Sequence, residues 1–599
     1  MIRFFHGLSL SLAIGALAAC GAAPTPPPSP APSSAAPRDQ LTRLVEHYWD
    51  EHQLLYPAEL PEGADRRYDG AYGYRISAQF LADSLALERR YLAAVLGVPS
   101  VDLDADSRLT YDLFRRAREL AIQSYTYPSE LLPVNPVRSL PLRFAQTGSG
   151  ADSYAILSAR DFERWQARTD DYVRWTTEAI ANMREGLRRG YALPRVLVEK
   201  MLPLLAALGA DTPANVFYQS IGSIPATVTD AERNRLKDGI TAGVRDKILP
   251  AYVKLHDFLR DEYLTRARTS VGLSALPLGD SWYAFLIKRE TDSALTPAEI
   301  HALGVAEVER LRTRLQGLLA DTAFAGNAAG FFETLRRDPH LSYKASEDLL
   351  NFYGELKGQA AAALPALFSE TPQAEFTIRR VESFRETTAP ALSYQRAAAD
   401  GRSAAILYVN TGGIAAQPVM ASAGLFLREA APGHHFQAAI QEERTDLPRF
   451  RRFGGDPAFV EGWGSYAASL GEELGLYRDT ESNFAALLVQ LLCAAGLVID
   501  TGLHSLGWPR ERAIDYLRAL LPIDEAAVRE TVDRDLALPG EALACSLGER
   551  KIQDLRARAE QVLGPRFDIR AFHAELLNDG AIPLDILETK VKRWLDGLK

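Results

Sequence analysis

The sequence predicts a mostly α-helical protein with a small β-sheet beside one polar motif helix. Apolar residues recur at three- and four-residue spacing along most of the chain, which is the period of an amphipathic helix. Two short segments near residue 400 instead alternate and are rich in β-branched residues, as strands are. A polar motif, Arg428–Gln437, follows these strands and joins two helical segments. Together these patterns predict two helical lobes with a cleft between them.

Composition places the chain among large globular proteins. It has 599 residues, of which 47% are hydrophobic and 24% are charged. This length is enough for one large two-lobed body or for two or three separate cores. The net charge of −10 argues against a nucleic-acid partner, because non-specific binding to nucleic acid needs a basic surface.

The N-terminus predicts export and a lipid anchor. Residues 1–19 have a short positive region and an apolar stretch, Leu8–Ala18, which is too short to remain as a membrane span. The stretch ends in Leu17-Ala18-Ala19-Cys20, which resembles the lipobox of bacterial lipoproteins. That resemblance implies cleavage before Cys20 and lipidation of its thiol. The alternative is an ordinary secretory signal peptide. Because Gly21 is not an acidic retention residue, we expect a periplasmic protein anchored to the outer membrane rather than to the inner one.

Residues 20–38 are rich in Pro, Ala and Ser and are expected to form an extended tether. From residue 39 to residue 373 the pattern predicts an N-terminal helical lobe. Thr296-Pro297-Ala298-Glu299 reads as a helix start, with an N-cap, a Pro at the first helical position and an early Glu. The predicted helices are Leu41–Tyr48, Ala78–Leu96, Leu109–Ile122, Phe162–Arg188, Ile300–Leu319 and Ser346–Leu364.

Residues 374–599 are predicted to form a second lobe that carries the motif. Two strands, Ala374–Val381 and Ala404–Asn410, are separated by a loop over Pro390–Ser403. An edge strand beside the motif helix could hold a substrate backbone in extended form, or the strands could only cover the core. Helices follow again, and Phe484–Val498 is so apolar that it must be buried.

The motif itself combines a carboxylate, two imidazoles and an amide. Glu429, His434, His435 and Gln437 lie around a Pro-Gly interruption, which breaks a helix unless the backbone is fixed otherwise. A further carboxylate, Glu461, opens the next helix. An acid-and-His helix followed by a Glu on the next helix is the layout of zinc hydrolases.

Several ordered motifs together resemble the bacterial family called domain of unknown function 885, over nearly the whole mature chain. The matching segments are Glu429–Gln437, Glu461–Trp463, Asp500–His504, Pro539-Gly540, Ile582–Leu584, Glu299–His301 and Tyr408–Asn410. The resemblance implies a mostly α-helical, gluzincin-type zinc-peptidase fold with many lipoprotein members. The family pattern usually reads His-Glu-x-x-Pro-Gly-His-x-x-Gln. It implies Glu429 as general base and His434 and Glu461 as zinc ligands.

The first ligand position of that pattern is occupied by Arg428. A guanidinium is always protonated and has no lone pair for a metal. A catalytic zinc needs three protein ligands, so the third would come from His435, His504 or Glu429 itself. His435 follows His434 directly and would point about 100° away on a regular helix. Where the family tends to have Pro-Gly-Gln and then a Tyr-Lys pair, this chain has Glu541 and then Cys545-Ser546.

The sequence therefore supports three hypotheses for function. The first is hydrolysis of peptide or amide bonds with an altered metal-ligand set and Glu429 polarising the water. The second is a pseudoenzyme that binds peptides or cell-wall fragments, with Arg428 paired to Glu461 and Glu429 in place of the metal. The third is a purely structural envelope lipoprotein. The residues expected to bind substrate are Arg428, Gln437, Asn410, Tyr394, His504 and Arg534, although structural roles for His434, His504, Asn410 and Tyr394 remain open.

Two cysteines besides Cys20 are present, Cys493 and Cys545. They could pair in an oxidising periplasm. Both lie in apolar helical segments, where a free Cys behaves as a small hydrophobic residue. On this ground we expect them to be unpaired.

Overall fold

A computed structural model describes residues 36–56, 76–149, 156–320, 326–338, 345–381, 389–397, 404–412, 419–521 and 523–598, together with Phe324, Tyr343 and Glu386. The described part of the chain is mostly helical, with one small sheet, as the sequence predicts. Cys20, the signal peptide and most of the tether lie outside the described residues.

Helices that precede and follow the sheet in the sequence make up most of the structure. Before the sheet lie α1 (Pro37–Leu55), α2 (Ala78–Leu96), α3 (Ala105–Ser124), α4 (Leu140–Gly148), α5 (Ala159–Arg189), α6 (Arg195–Gly209), α7 (Asp230–Gly243), α8 (Leu249–Phe258), α9 (Gly279–Thr291), α10 (Pro297–Ala320), α11 (Ala328–Arg337) and α12 (Ser346–Ala363). After it lie α13 (Val419–Glu429), α14 (His434–Glu443), α15 (Arg449–Phe453), α16 (Pro457–Ser469), α17 (Thr480–His504), α18 (Arg510–Leu520), α19 (Glu525–Ala537), α20 (Glu541–Leu563), α21 (Ile569–Leu577) and α22 (Leu584–Gly597).

The predicted helices are present, and one predicted cap is confirmed in detail. The hydroxyl of Thr296 accepts from the backbone N–H of Glu299 at 3.3 Å, and the carboxylate of Glu299 accepts from the N–H of Thr296 at 2.8 Å. This reciprocal arrangement is a capping box, which satisfies two backbone donors at the start of α10. The bounds of α2 are those that the apolar spacing predicts.

The sheet has three strands, one more than the sequence predicts. They are β1 (Phe376–Arg380), β2 (Leu392–Gln395) and β3 (Ala405–Val409), in the order β1-β3-β2. β1 runs parallel to β3, and β2 runs antiparallel to it. The prediction of an uninterrupted loop over Pro390–Ser403 was wrong, because β2 lies inside it. Its four residues are too few to show alternation and are ordered by pairing with the fully buried β3.

Large apolar clusters draw residues from both sides of residue 373. One joins α12 to the sheet, α13, α16 and α20, and another joins α10 and α11 to α17, α18 and α19. The proposed division into two lobes at residue 373 stays a prediction. Among the described residues, α17 is long and apolar enough to cross a membrane, but most of its apolar stretch is buried inside the protein.

Cys493 and Cys545 form a disulfide, so the expectation that they are unpaired was wrong. Cys493 lies on α17 and Cys545 on α20, with their Cα atoms 5.8 Å apart. The two helices approach closely because Gly496 has no side chain; a Cβ there would lie 2.9 Å from the carbonyl oxygen of Ala542. Sequence periodicity places both residues on helices but does not show that these helices are neighbours.

Candidate functional site

The motif residues meet where the C-terminal end of α13, the N-terminal end of α14 and the first turns of α16 come together. The turn between α13 and α14 is fixed by Trp463 on α16, whose indole N–H donates to the carbonyl of Pro432 at 2.8 Å. α16 also makes room for His434, because a Cβ at Gly464 would lie 2.6 Å from Cε1 of that ring. The Glu-Gly-Trp-Gly segment thus positions the turn as well as the carboxylate of Glu461.

Arg428 lies at the centre of the charged groups. Its Nη2 donates to Oε2 of Glu461, and its Nε is 3.5 Å from Oε1 of Glu429. Its Nη1 also contacts the carbonyl of Glu461 at 3.4 Å and the Sγ of Cys545 at 3.5 Å. The guanidinium is largely buried, with 15% of the side chain exposed. It therefore compensates both carboxylates inside the protein.

His434 faces the same two carboxylates at a longer distance. Its Nε2 is 3.9 Å from Oε1 of Glu429 and 4.0 Å from Oε2 of Glu461, beyond hydrogen-bond range. Burial lowers the pKa of His434, although the two carboxylates act in the opposite direction. The imidazole is therefore neutral at neutral pH. Its buried Nδ1 has no hydrogen-bond partner among the described residues.

The two carboxylates are held in different ways. Burial alone would raise the pKa of Glu461. The charge and hydrogen bond of Arg428, together with the charges of His434 and Arg534, outweigh it, so the pKa lies below its ordinary value. Glu429 is tied to the sheet, because its Oε2 accepts from the backbone N–H of Tyr394 on β2 at 3.1 Å. The strand next to the motif therefore determines where the Glu429 carboxylate lies.

These residues do not fit a catalytic zinc. The imidazole of His434 lies 3.9 and 4.0 Å from the carboxylates of Glu429 and Glu461, and a fixed cation already binds the carboxylate of Glu461. A catalytic zinc takes three protein ligands and keeps a fourth position open. Arg428 brings positive charge where the metal would lie and cannot itself ligate. Nowhere among the described residues do three or more His, Cys, Asp or Glu side chains form a metal-holding group.

His435 points away from this site. Its Nε2 donates to the carbonyl of Ala374 at 3.0 Å, and its Nδ1 accepts from the Tyr394 hydroxyl at 3.3 Å. The ring also contacts Phe376 edge-on. Burial lowers its pKa to about 4, so it is neutral at neutral pH. His435 thus joins α14 to the sheet through contacts that turn it away from the carboxylates, although it was one of the three residues considered as a third ligand.

Three other predicted residues take part in buried hydrogen bonds near the motif. The amide of Gln437 donates to Gln441 at 2.6 Å. The amide of Asn410 donates to the carbonyls of Glu386 and Ala389 at 2.9 and 2.8 Å, at the end of β3. Tyr394 borders the site through its backbone N–H and contacts His435 through its hydroxyl. Of the three, Tyr394 contacts Glu429, through its backbone N–H.

His504 and Arg534 lie on other helices. His504 is buried, accepts from the N–H of Leu273 at 3.3 Å and donates to the carbonyl of Asp535 at 3.1 Å, so its contacts are away from the motif. Burial lowers its pKa to about 4. Arg534 pairs with Glu541 at 2.5 Å, and its charge also helps to lower the pKa of Glu461. Arg534 therefore belongs to the electrostatic surroundings of the site.

Sequence reasoning missed a buried carboxyl behind Arg428. Glu549 on α20 accepts from Ser465 at 2.5 Å, from Gln490 at 3.0 Å and from Gln553 at 2.8 Å. Burial raises its pKa, and the charge of Arg428 is near enough to act against that rise. A Glu one helical turn after Cys545, following the apolar stretch Leu543–Leu547, was the available signal.

Comparison with known proteins identifies the family. The profile of the family described as "Bacterial protein of unknown function", domain of unknown function 885, matches residues 63–591. The chain belongs to this family. Comparison with curated proteins gives no match.

Two solved structures share the fold of this domain of unknown function 885 protein. One, from Colwellia psychrerythraea and described as a candidate lipoprotein, is 24% identical and has a TM-score of 0.86, over 94% of this chain and 100% of that one. The other, from Shewanella oneidensis, is described as a candidate lipoprotein of unknown function. It is 16% identical and has a TM-score of 0.67, over 92% of this chain and 99% of that one.

Proposed function

We propose that this protein is a lipid-anchored envelope protein that binds extended peptides, or peptide-containing cell-wall fragments, without metal-dependent hydrolysis. The observation that carries this proposal is the ion pair between Arg428 and Glu461, with Glu429 beside it. The cation offsets part of the negative charge of the two carboxylates, which a divalent zinc ion would offset in full. It has no Lewis-acid capacity and does not lower the pKa of a bound water as zinc does. The site keeps its charged lining but loses that means of activating water.

The edge of the sheet supports a peptide as the ligand. The N–H of Asn410 donates to the carbonyl of Ala391 at 2.9 Å, so residue 391 faces β3. Backbone N–H and C=O groups alternate in direction along a strand, so those of Leu392 and Tyr394 point to the outer edge of β2. There the N–H of Tyr394 donates to Glu429. A polypeptide laid along this edge would run past Glu429 and towards the Arg428–Glu461 pair. Strand addition of this kind gives affinity through main-chain hydrogen bonds.

The envelope location rests on the N-terminus and on the relatives. The segment ending at Cys20 resembles a lipobox, and both solved relatives are described as candidate lipoproteins. We infer lipidation of Cys20 and anchoring in the outer membrane, with a tether of residues 20–38 between the lipid and the folded part. The two-lobed, zinc-peptidase-like scaffold is part of the same proposal.

A second candidate is hydrolysis of peptide or amide bonds with an altered ligand set. One observation favours it: the Nε2 of His434 is almost equally distant from Glu429 and Glu461, at 3.9 and 4.0 Å. In this case Glu429, held by β2, would act as general base on a water beside the scissile carbonyl.

A peptide library separates the two candidates. We expect the purified full-length protein to retain a subset of peptides and to return them uncleaved, as judged by mass spectrometry. Glu429→Gln is the control, because it keeps the size of the side chain but removes the base. Cleavage by the wild type that is abolished in Glu429→Gln would support hydrolysis and contradict binding without catalysis. A library that is neither bound nor cut would contradict both.

A further inference from the structure

A disulfide bond adjoins the arginine at the centre of the site. The Sγ of Cys545 accepts from Nη1 of Arg428 at 3.5 Å, and the same sulfur is bonded to Cys493. The two sulfur-bearing residues differ in access. Cys545 is buried, with 8% of the residue exposed, whereas Cys493 is partly exposed beside Leu492, which is 37% exposed. One residue of the bond therefore reaches the protein surface in part, and the sulfur of the other contacts a fixed cation.

This difference between the two cysteines determines which sulfur is attacked and which one leaves. A thiolate attacks the sulfur that it can reach, and the departing sulfur leaves faster when its thiol is more acidic. A neighbouring Arg stabilises a cysteine thiolate and so makes the thiol more acidic. Both effects select Cys493 as the attacked residue and Cys545 as the leaving group. Disulfides that are exposed to solvent are more readily reduced than those that are fully enclosed.

We propose that Cys493–Cys545 is a thiol–disulfide exchange site for a dithiol reductant of the envelope, with Arg428 stabilising the Cys545 thiolate. In the first step a thiolate of the reductant bonds to Sγ of Cys493, the Cys493–Cys545 bond breaks, and its electron pair leaves with Cys545. In the second step the reductant's second thiol loses its proton and attacks the reductant sulfur that is bonded to Cys493. Cys493 then leaves as a thiolate and is protonated. The reductant's two thiols are oxidised to a disulfide, and the two cysteines are reduced.

Exchange at this bond changes the charge around Arg428. In the oxidised protein the guanidinium pairs with Glu461 and lies near Glu429. After reduction it also faces the Cys545 thiolate, so three anions share one cation. The pairing of Glu461 then weakens, and the electrostatics of the site depend on its redox state. This inference does not depend on whether the site binds peptides.

Regiochemistry is the first test. The full-length protein is incubated briefly under native conditions with glutathione, a monothiol without a second thiol to displace itself from the mixed disulfide. Free thiols are then trapped with N-ethylmaleimide. We expect peptide mass spectrometry to find glutathione on Cys493 and the maleimide on Cys545. Glutathione on Cys545, or no reaction until denaturant is added, would overturn the proposal.

The rate of reduction by excess dithiothreitol tests the role of Arg428. Loss of the guanidinium in Arg428→Gln is expected to slow reduction roughly threefold, which corresponds to about one unit of leaving-group pKa at a Brønsted coefficient of about 0.5. Arg550→Gln removes a half-exposed arginine from α20, the helix that carries Cys545, and is expected to react as the wild type does. Equal rates for Arg428→Gln and the wild type would overturn the assignment. If Arg428→Gln unfolds, the regiochemistry of the wild type decides alone.

Discussion

Arg428 places a fixed cation where the sequence motif expected for a zinc site has a histidine. The residue type alone shows that Arg428 is not a metal ligand, because a guanidinium has no lone pair to give. The structure adds that the cation binds Glu461 and approaches Glu429. One cation therefore faces two carboxylates and offsets part of their negative charge without a metal ion.

A double-mutant cycle measures the Arg428–Glu461 pair. Arg428→Gln leaves Glu461 without its main cation in a partly buried position, so we expect a loss of about 1–2 kcal/mol of unfolding free energy. Glu461→Gln is expected to cost a similar amount, and the double variant less than the sum. Urea unfolding of the four proteins checks this. Strict additivity of the two single changes would show that the pair does not interact.

His435 shows how far residue spacing can be trusted. Adjacent helical residues point about 100° apart, and this angle places His434 toward the carboxylates and His435 toward β1 and β2. The sequence could not exclude His435 as a ligand, because the Pro-Gly turn leaves the start of α14 undefined. The contacts with Ala374 and Tyr394 depend on a sheet whose third strand the sequence did not reveal.

At the scale of secondary-structure elements, Glu461 is positioned by the crossing of helices α16 and α20. Two glycines meet there, and a Cβ at Gly548 would lie 2.0 Å from the carbonyl oxygen of Ala458. Backbone rather than a flexible side chain occupies that space, so the helices would have to move apart. Gly462, in the Glu-Gly-Trp motif, faces Gly548 across the same contact. One reason for its place in the motif is therefore helix packing.

Gly548→Ala tests this close approach. We expect the unfolding free energy to fall by about 1–3 kcal/mol, because overpacking against the backbone forces the two helices to shift. Gly358→Ala is a matched control, since Gly358 is also within a helix, α12, and has no atom within 4 Å of its Cβ position. The control is expected to gain about 0.5–1 kcal/mol from helix propensity. Thermal unfolding of both variants measures the difference, and equal behaviour would contradict the close crossing.

Distant parts of the chain are joined through a buried carboxyl pair. Asp456, the N-cap of α16, hydrogen bonds to Asp292 at the end of α9. Asp292 also binds Arg116 of α3 at 2.5 Å and the N–H of Leu584 at the start of α22 at 3.2 Å. Burial and the neighbouring Asp292 raise the pKa of Asp456 well above its ordinary value. Asp456 therefore holds a proton in the folded protein that it releases on unfolding above about pH 4.

The pH dependence of whole-molecule stability follows from this proton. The contribution of Asp456 is greatest below about pH 4 and falls as pH rises toward its folded pKa, because the folded state binds the extra proton. Asp456→Asn keeps an N-cap and removes the titration. Between pH 4 and pH 7 we expect the unfolding free energy of the variant to rise relative to that of the wild type by on the order of 1 kcal/mol. Denaturant unfolding of both proteins at several pH values checks this. A difference in unfolding free energy that stays constant with pH would contradict the raised pKa of Asp456.

Much of the helical framework and part of the site could be predicted from the sequence. Long apolar periods gave helices such as α2 and α5 with nearly the right bounds, because periodicity is a local property. β2 and the Cys493–Cys545 bond could not be predicted, because both depend on which elements become neighbours. The same holds for Glu429, whose hydrogen bond to Tyr394 spans 35 residues.

The most direct test of the central claim is the zinc content of the wild type and of Arg428→His, measured by inductively coupled plasma mass spectrometry after purification without chelators. With Arg428 in place of a ligand, the wild type is expected to hold far less than one zinc ion per chain. Arg428→His restores the missing imidazole beside His434 and Glu461, and we expect it to bind about one zinc ion. Stoichiometric zinc in the wild type would contradict the replacement of the metal by Arg428.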